Sequence, residues 1–363
     1  MIIRGNEMSA TNERTNDNSN IDDDVKKLLV EEEYPLSWIP FEELYGSEKI
    51  GQGGFATAFY ANWVDKRANY LREVAFKLLH GSRSCNEGFI QELKAYCNIG
   101  SNHPSFLKCY GISKDESSED YILVLEYAAM GSLRQNLFSV SQMNWMDKLT
   151  LLHCITSDLQ MIHSQGLIHR DLHSGNILQD NLHSAYVADL GLSITTNRAL
   201  NAERRGVYGI LPYIAPEVLD GEQYTTASDI YSFGIIMWEI LYGKSVSYNQ
   251  EFGIQLQIKI CRENLRPSII EDTPQCYINL MKKCWERDPI KRPSAQKIIE
   301  ILTEWQNDKN ILLELTKSEE TLKNQSIHMH SYFDIIYKSK FIEFTKSFYR
   351  DSDLNKLDVE NYK

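Results

Sequence analysis

The spacing of apolar positions changes character part-way along the chain. Between Tyr34 and Tyr127 they fall in short alternating or β-branched runs, at Lys49–Ile50, Ala56–Ala61, Glu73–Leu78, Leu107–Ile112 and Tyr121–Leu125. Such runs predict antiparallel strands. One interruption has helical spacing, with Phe89, Leu93, Tyr96 and Cys97 on a single face, so this stretch reads as a sheet plus one helix. Beyond Gly131 the period lengthens, giving apolar stripes at Leu149–Ile162, Ile230–Leu241, Ile254–Ile260, Tyr277–Trp285 and Ala295–Trp305. A mainly helical second lobe follows from that change. No repeat with a period of about 20 to 50 residues interrupts it, which argues against a solenoid.

Both ends have a different texture. Residues 1–33 are rich in Asn, Asp, Glu and Ser and are expected to be a disordered tail, because they carry too little apolar surface to offset chain entropy. After about Asn310 the chain is charged, then places Phe333, Tyr337, Phe341, Phe344 and Phe348 at helical spacing. This C-terminal extension, 310–363, is expected to dock on the protein's own surface.

Composition narrows the function classes. With 363 residues, 42% hydrophobic and 24% charged, the chain can fill a large core. Its net charge of −12 disfavours phosphate backbones, so no nucleic-acid partner is expected. The seven cysteines are odd in number and nowhere spaced as CxxC, against a disulfide framework or zinc knuckle and for a reducing compartment, the cytoplasm or the nucleus. The opening MIIRGNEMSA turns polar at once, unlike a secretory signal. The most apolar stretch, Ile230–Tyr242, is shorter than the roughly 20 residues a membrane span needs.

Three features carry chemistry. Gly51-Gln52-Gly53-Gly54-Phe55-Ala56 lies between strand-like runs. It is either a plain hairpin or a loop whose bare backbone approaches phosphates. It leads into another strand rather than a helix, which rejects a dinucleotide-binding fold. Val74-Ala75-Phe76-Lys77 sets a lysine on a strand of buried residue types. An interior ammonium needs a counter-ion, and Glu92 on the following helix can supply it; a snorkelling surface lysine is the alternative. The third feature is His169-Arg170-Asp171-Leu172-His173-Ser174-Gly175-Asn176-Ile177-Leu178, followed by Asp189-Leu190-Gly191 and Ala215-Pro216-Glu217.

In that order these segments resemble the eukaryotic protein kinase family, over about Leu44 to Trp305. The resemblance implies an α+β bilobal fold: an N-lobe, 44–127, with a five-stranded antiparallel sheet and one helix, and a mainly helical C-lobe, 128–305. It implies an ATP- and Mg²⁺-dependent phosphotransferase acting on protein hydroxyls. By the same resemblance Asp171 is the base, Lys77 held by Glu92 grips the α- and β-phosphates, and Asn176 and Asp189 hold Mg²⁺. Gly51, Gly53, Gly54 and Phe55 cover the phosphates, while Ile50, Ala58, Ala75 and Leu178 form the adenine slot. Leu125 takes the gatekeeper position, and the main chain of Glu126 and Ala128 faces the base. Asp229 braces the catalytic loop and Glu217 pairs with Arg292.

Departures from the commonest pattern are informative. Ala56 replaces the third glycine, Leu190 the usual Phe, His173 the usual Lys and Ile210 a Thr. The chain is most similar to the tyrosine-kinase-like group, whose members mostly phosphorylate Ser or Thr, with Tyr the other hydroxyl class. Arg170 beside the base predicts control by phosphorylation at Ser193, Thr195, Thr196 or Tyr208, by an upstream kinase or by the protein itself. The rival reading is a pseudokinase, a scaffold that binds without catalysis; the full set of Lys77, Glu92, Asp171, Asn176 and Asp189 argues against it.

Overall fold

The computed structural model describes residues 22–30, 36–53, 56–65, 70–84, 106–190, 194–195, 206–248, 252–327, 337 and 339–345, and single helical positions between 90 and 99. Gly54, Phe55, Glu92 and Gly191 lie outside the described residues, as do Ser193, Thr196, Phe333 and Phe348.

The small lobe is built on β1 (Ser37–Trp38), β2 (Leu44–Gln52), β3 (Ala56–Asp65), β4 (Tyr70–Leu79), β5 (Cys109–Lys114) and β6 (Tyr121–Glu126). They form a six-stranded sheet in the order β1-β5-β6-β4-β3-β2, one strand more than expected. The extra strand is β1, which adds parallel to β5 through Ser37–Gly111 and Trp38–Ile112. Gly111 makes this possible, since a Cβ there would come within 2.1 Å of the Ser37 carbonyl oxygen. The expected disordered tail also needs correcting. Residues 23–30 form helix α1 (Asp23–Val30), whose Val25 is fully buried, and the Asp22 N–H donates to the Tyr121 hydroxyl at 3.0 Å. Val25 and Leu29 lie one helical turn apart, so this short run has an apolar edge that the lobe covers.

Strand register explains the lobe's two faces. Ala58 pairs with Lys77 and Lys77 with Leu123, while Tyr60 pairs with Ala75 and Ala75 with Leu125. Paired residues share a face and neighbours alternate, so Ala58, Ala75, Lys77, Leu123 and Leu125 all project to one side. On the other side Val74, Phe76, Ile122 and Val124 join Ile39, Ala61 and Trp63 in an apolar cluster of their own, with Phe59 stacked on Phe76 at 4.8 Å.

The large lobe contains α2 (Leu133–Ser141), α3 (Trp145–Ser164), α4 (Pro216–Leu219), α5 (Thr226–Tyr242), α6 (Ile254–Arg262), α7 (Gln275–Cys284), α8 (Ala295–Asn307) and α9 (Lys309–Ile327). Asn144 caps α3 by accepting from the Asp147 N–H at 2.9 Å, and Ser294 caps α8 by accepting from Lys297 at 3.2 Å. Helix α5 begins at a Thr225–Ser228 capping box and stops at Gly243, in the left-handed region at φ 70°. Every residue from Ser228 to Tyr242 is buried, so α5 is the lobe's central pillar. Among the described residues no helix is long and apolar enough to cross a membrane.

Short strands finish the molecule: β7 (Leu167–Ile168), β8 (Ile177–Leu178), β9 (Tyr186–Val187), β10 (Ile194–Thr195), β11 (Gly206–Gly209) and β12 (Lys340–Glu343). Strand β12 belongs to the C-terminal extension and pairs with β11, so the aromatic residues around 341 follow a strand rather than the expected helix.

Candidate active site

The site is assembled from the inward face of the small-lobe sheet and two loops of the large lobe. The register β2–β3–β4–β6 aligns Gly51, Ala58, Lys77 and Leu123 in one row across the sheet. Across the cleft, Lys77 Nζ donates to Asp189 Oδ1 at 2.8 Å. Asp189 lies at the end of β9's loop with φ 63°, and its N–H donates to the Tyr96 hydroxyl at 3.1 Å. Tyr96 was not singled out from the sequence as part of the site. The signal available was its place in the sequence, four positions after Glu92 and at helical spacing from Leu93.

The loop after β7 is fixed by Asp229, which is buried on α5. Its carboxylate accepts from His163 Nε2, from the His169 N–H and from the Arg170 N–H, each at 2.9 Å. Burial by itself raises this carboxyl's pKa, but the donors facing it hold the group below its ordinary value. Arg170 sits in the left-handed region at φ 74°, a conformation these bonds sustain. His169 is fully buried and kept neutral by desolvation. Its Nδ1 accepts from the Asp171 N–H at 3.3 Å, so Nε2 carries the proton and donates to the Ala188 carbonyl at 3.0 Å. This single imidazole ties the loop bearing Asp171 to the loop bearing Asp189.

Asp171 is thereby held in a largely desolvated place. Burial first, then the Asp189 carboxylate, push its carboxyl up to about 7. Asn176 Nδ2 donates to the Asp171 carbonyl at 2.9 Å, which turns the amide oxygen of Asn176 the other way. His173 fills the position of the usual lysine. Its Nδ1 accepts from the Gly175 N–H at 3.0 Å, and burial followed by Arg134 lowers its pKa well below normal, so the ring is neutral. Its Nε2 then carries a proton 3.8 Å from Asp171 Oδ2.

Of the residues expected to line the adenine slot, Ala58, Ala75 and Leu178 are half-buried, Leu125 and Ala128 are buried, and Ile50 is exposed. The Glu126 N–H donates to the Lys108 carbonyl at 2.8 Å, which ties the end of β6 to the chain before β5. The Ala128 carbonyl accepts from Gly131 at 3.0 Å, turning the chain toward α2. Glu217 and Arg292 make the expected pair, with two parallel bonds of 2.7 Å, and Arg292 is fully enclosed.

A metal would find two hard oxygen donors here, the Asp189 carboxylate and the Asn176 amide oxygen freed by the pinning of its Nδ2. Among the described residues no cluster of three or more His, Cys, Asp or Glu could hold a metal by itself. That donor set suits Mg²⁺, which takes one or two protein oxygens and completes its shell with phosphates and water.

The family description "protein tyrosine and serine/threonine kinase" matches residues 44–302. The chain belongs to the protein kinase family. The kinase is 31% identical over 295 residues to the probable serine/threonine-protein kinase drkD of Dictyostelium discoideum, a match covering 78% of this chain and 22% of drkD. It is 33% identical over 276 residues to the dual specificity protein kinase pyk3 of the same organism, covering 75% of this chain and 19% of pyk3. The kinase therefore spans about a fifth of the length of these relatives.

Proposed function

We propose that this kinase is catalytically active, transfers the γ-phosphate of ATP to Ser or Thr hydroxyls of proteins, and belongs to the tyrosine-kinase-like group, with a kinase domain over 44–305. The observation that carries the reading is the convergence of Lys77, Asp171, Asn176 and Asp189 on one cleft, with Lys77 and Asp189 in contact across it. Asp171 orients the attacking hydroxyl and accepts its proton, a task suited to a carboxyl poised near 7. Lys77 holds the α- and β-phosphates, with Glu92 as its brace. Asp189 and Asn176 hold Mg²⁺, which when bound neutralises phosphate charge. The Gly51–Phe55 loop closes over the phosphates, and the slot from Ile50 to Leu178 takes adenine.

Arg170, whose guanidinium lies 4.8 Å from the Tyr224 ring, is the cation that would answer a phosphate in the activation loop. The modifying enzyme is an upstream kinase or the protein itself, and the compartment is the cytoplasm or the nucleus. Purified protein with Mg-ATP and a peptide array should turn over within the family range of about 1 to 100 s⁻¹. Asp171→Asn should fall by about 10² to 10⁴. Equal signal from both proteins would favour the scaffold reading instead.

A further inference from the structure

Tyr337 and Ser339–Thr345 of the C-terminal extension lie across the mouth of the site. Strand β12 pairs antiparallel with β11 in the register Gly209–Lys340, Tyr208–Phe341, Val207–Ile342 and Gly206–Glu343. Strand β11 belongs to the stretch between Asp189 and Glu217, so a strand added there lies where a peptide would be presented to Asp171. The residue just before β12 is Ser339, whose hydroxyl donates to Asp171, at 3.1 Å to Oδ2 and 3.4 Å to Oδ1.

The seat is built from both sides. Gly206 leaves room for the segment, since a Cβ there would lie 2.2 Å from the Ile342 carbonyl oxygen. Tyr337 is buried edge-on against Phe252 at 5.5 Å, with the Arg134 guanidinium 5.1 Å from its ring and donating to its carbonyl at 3.0 Å. Lys340 Nζ donates to the Phe252 carbonyl at 2.9 Å, and Gln257 Nε2 donates to the Glu343 carbonyl at 2.7 Å. Thr345 is fully buried, donates to the Leu219 carbonyl at 2.9 Å and covers Cys261. Ile342 is buried while Phe341 and Glu343 are exposed, the alternation of a strand seated by side-chain pockets.

From this juxtaposition we infer that Ser339 is a phosphorylation site that the kinase modifies on its own chain, and that Ser339–Thr345 occupies the substrate groove until it does so. The inference rests on the activity proposed above. Ser339 Oγ forms a bond to the γ-phosphorus of ATP as the bond from that phosphorus to the β–γ bridging oxygen breaks. The hydroxyl proton passes to Asp171, and ADP leaves with the electron pair on the bridging oxygen. Because the segment is tethered, the step is first order in protein, with an effective concentration near the millimolar range. The product carries about −1.5 to −2 charge beside Asp171 and Asp189, so like-charge repulsion expels the segment and opens the groove. The same seat specifies outside substrates: a serine with an aromatic residue two positions before it, a basic residue after it and an aliphatic one at the third position beyond.

Full-length protein, dephosphorylated and then given Mg-ATP over a hundredfold range of protein concentration, tests this by phosphosite mapping, with casein phosphorylated in parallel. Phosphate is expected on Ser339 at a rate independent of concentration, with faster Cys261 alkylation as the site fills. Ser339→Ala, which keeps the seat, should block that rise. Ile342→Asp should lose Ser339 phosphate about tenfold or more while phosphorylating casein about tenfold faster, the gain expected from removing a tethered competitor. An unmodified Ser339 alongside phosphorylated casein, or a rate that scales with protein concentration, overturns the inference and leaves the activity intact. Absence of phosphate on both casein and Ser339 overturns the two together.

Discussion

Asp229→Asn offers the sharpest test of how the catalytic loop is held. The native carboxylate receives three N–H donors at 2.9 Å, two on Oδ2 and one on Oδ1. Asparagine keeps one acceptor oxygen. If that oxygen takes the two-donor side, the new amide N–H₂ confronts the Arg170 N–H; the opposite flip strands His163 and His169. At least one buried donor is left unpaired, at about 1–3 kcal/mol, and the remaining bonds fall from the charged class, about 1.5–3 kcal/mol, to the neutral class, about 0.5–1.5 kcal/mol. The loss should total roughly 3–5 kcal/mol. At about 2–4 °C per kcal/mol for domains approaching this size, thermal unfolding should drop by at least about 6 °C. Kinetics should suffer separately, because Arg170 is kept at φ 74° next to Asp171. A displacement of the loop near 1 Å costs about 10²-fold in kcat. Calorimetry and an ADP-release assay measure the two effects. His163→Ala is the control: it removes a donor that is not part of the loop backbone, so kcat should stay within a few-fold. An Asn variant within 1 kcal/mol of wild type and within twofold in kcat would refute the bracing argument.

Two further outcomes follow from buried charges. Glu217→Gln leaves the Arg292 guanidinium enclosed without its counter-charge and should cost roughly 3–5 kcal/mol, read as a shift in the guanidinium chloride midpoint. Asp158, whose carboxylate accepts from the Val187 N–H at 2.9 Å, is pushed by burial from 3.8 up to about 8. Between these values the folded protein retains a proton that the unfolded chain releases, so stability is full at low pH and declines as pH rises toward 8. Asp158→Asn keeps the acceptor without the ionisation, and its Tm relative to wild type should climb between pH 5 and pH 9, by the equivalent of at most about 4 kcal/mol at 1.36 kcal/mol per pKa unit over the roughly three units from pH 5 to 8.

What could be read from the residues alone depended on where stabilisation comes from. The small-lobe strands announce themselves because one face of each packs on a core, which imposes alternation on Val74, Phe76 and their partners. The loop from His169 to Leu178 is legible because phosphoryl transfer restricts the residue types allowed at fixed spacing, and its brace at Asp229 and the Glu217–Arg292 pair stand where the motifs place them. Strand β12 was hidden. Residues Lys340–Glu343 are too few to display a period, and their conformation is set by pairing with β11, more than 130 positions earlier in the chain. Without that pairing, Phe341 and Phe344 fit a helical stripe as well. Helix α1 and strand β1 were missed for the same reason, since each is a short run whose order is lent by a distant partner such as Tyr121 or Gly111. Ser339 carries no local signal at all, and only the folded chain brings it to Asp171.

The separate apolar cluster on the outer side of the small-lobe sheet has a mechanical consequence. Phe76 and Val124 seal that side without help from the helical half, whereas Leu123 and Leu125 on the inward face share one continuous core with it. A movement of one half against the other would therefore be borne by the shared inward core, while the outer cluster rides along unchanged.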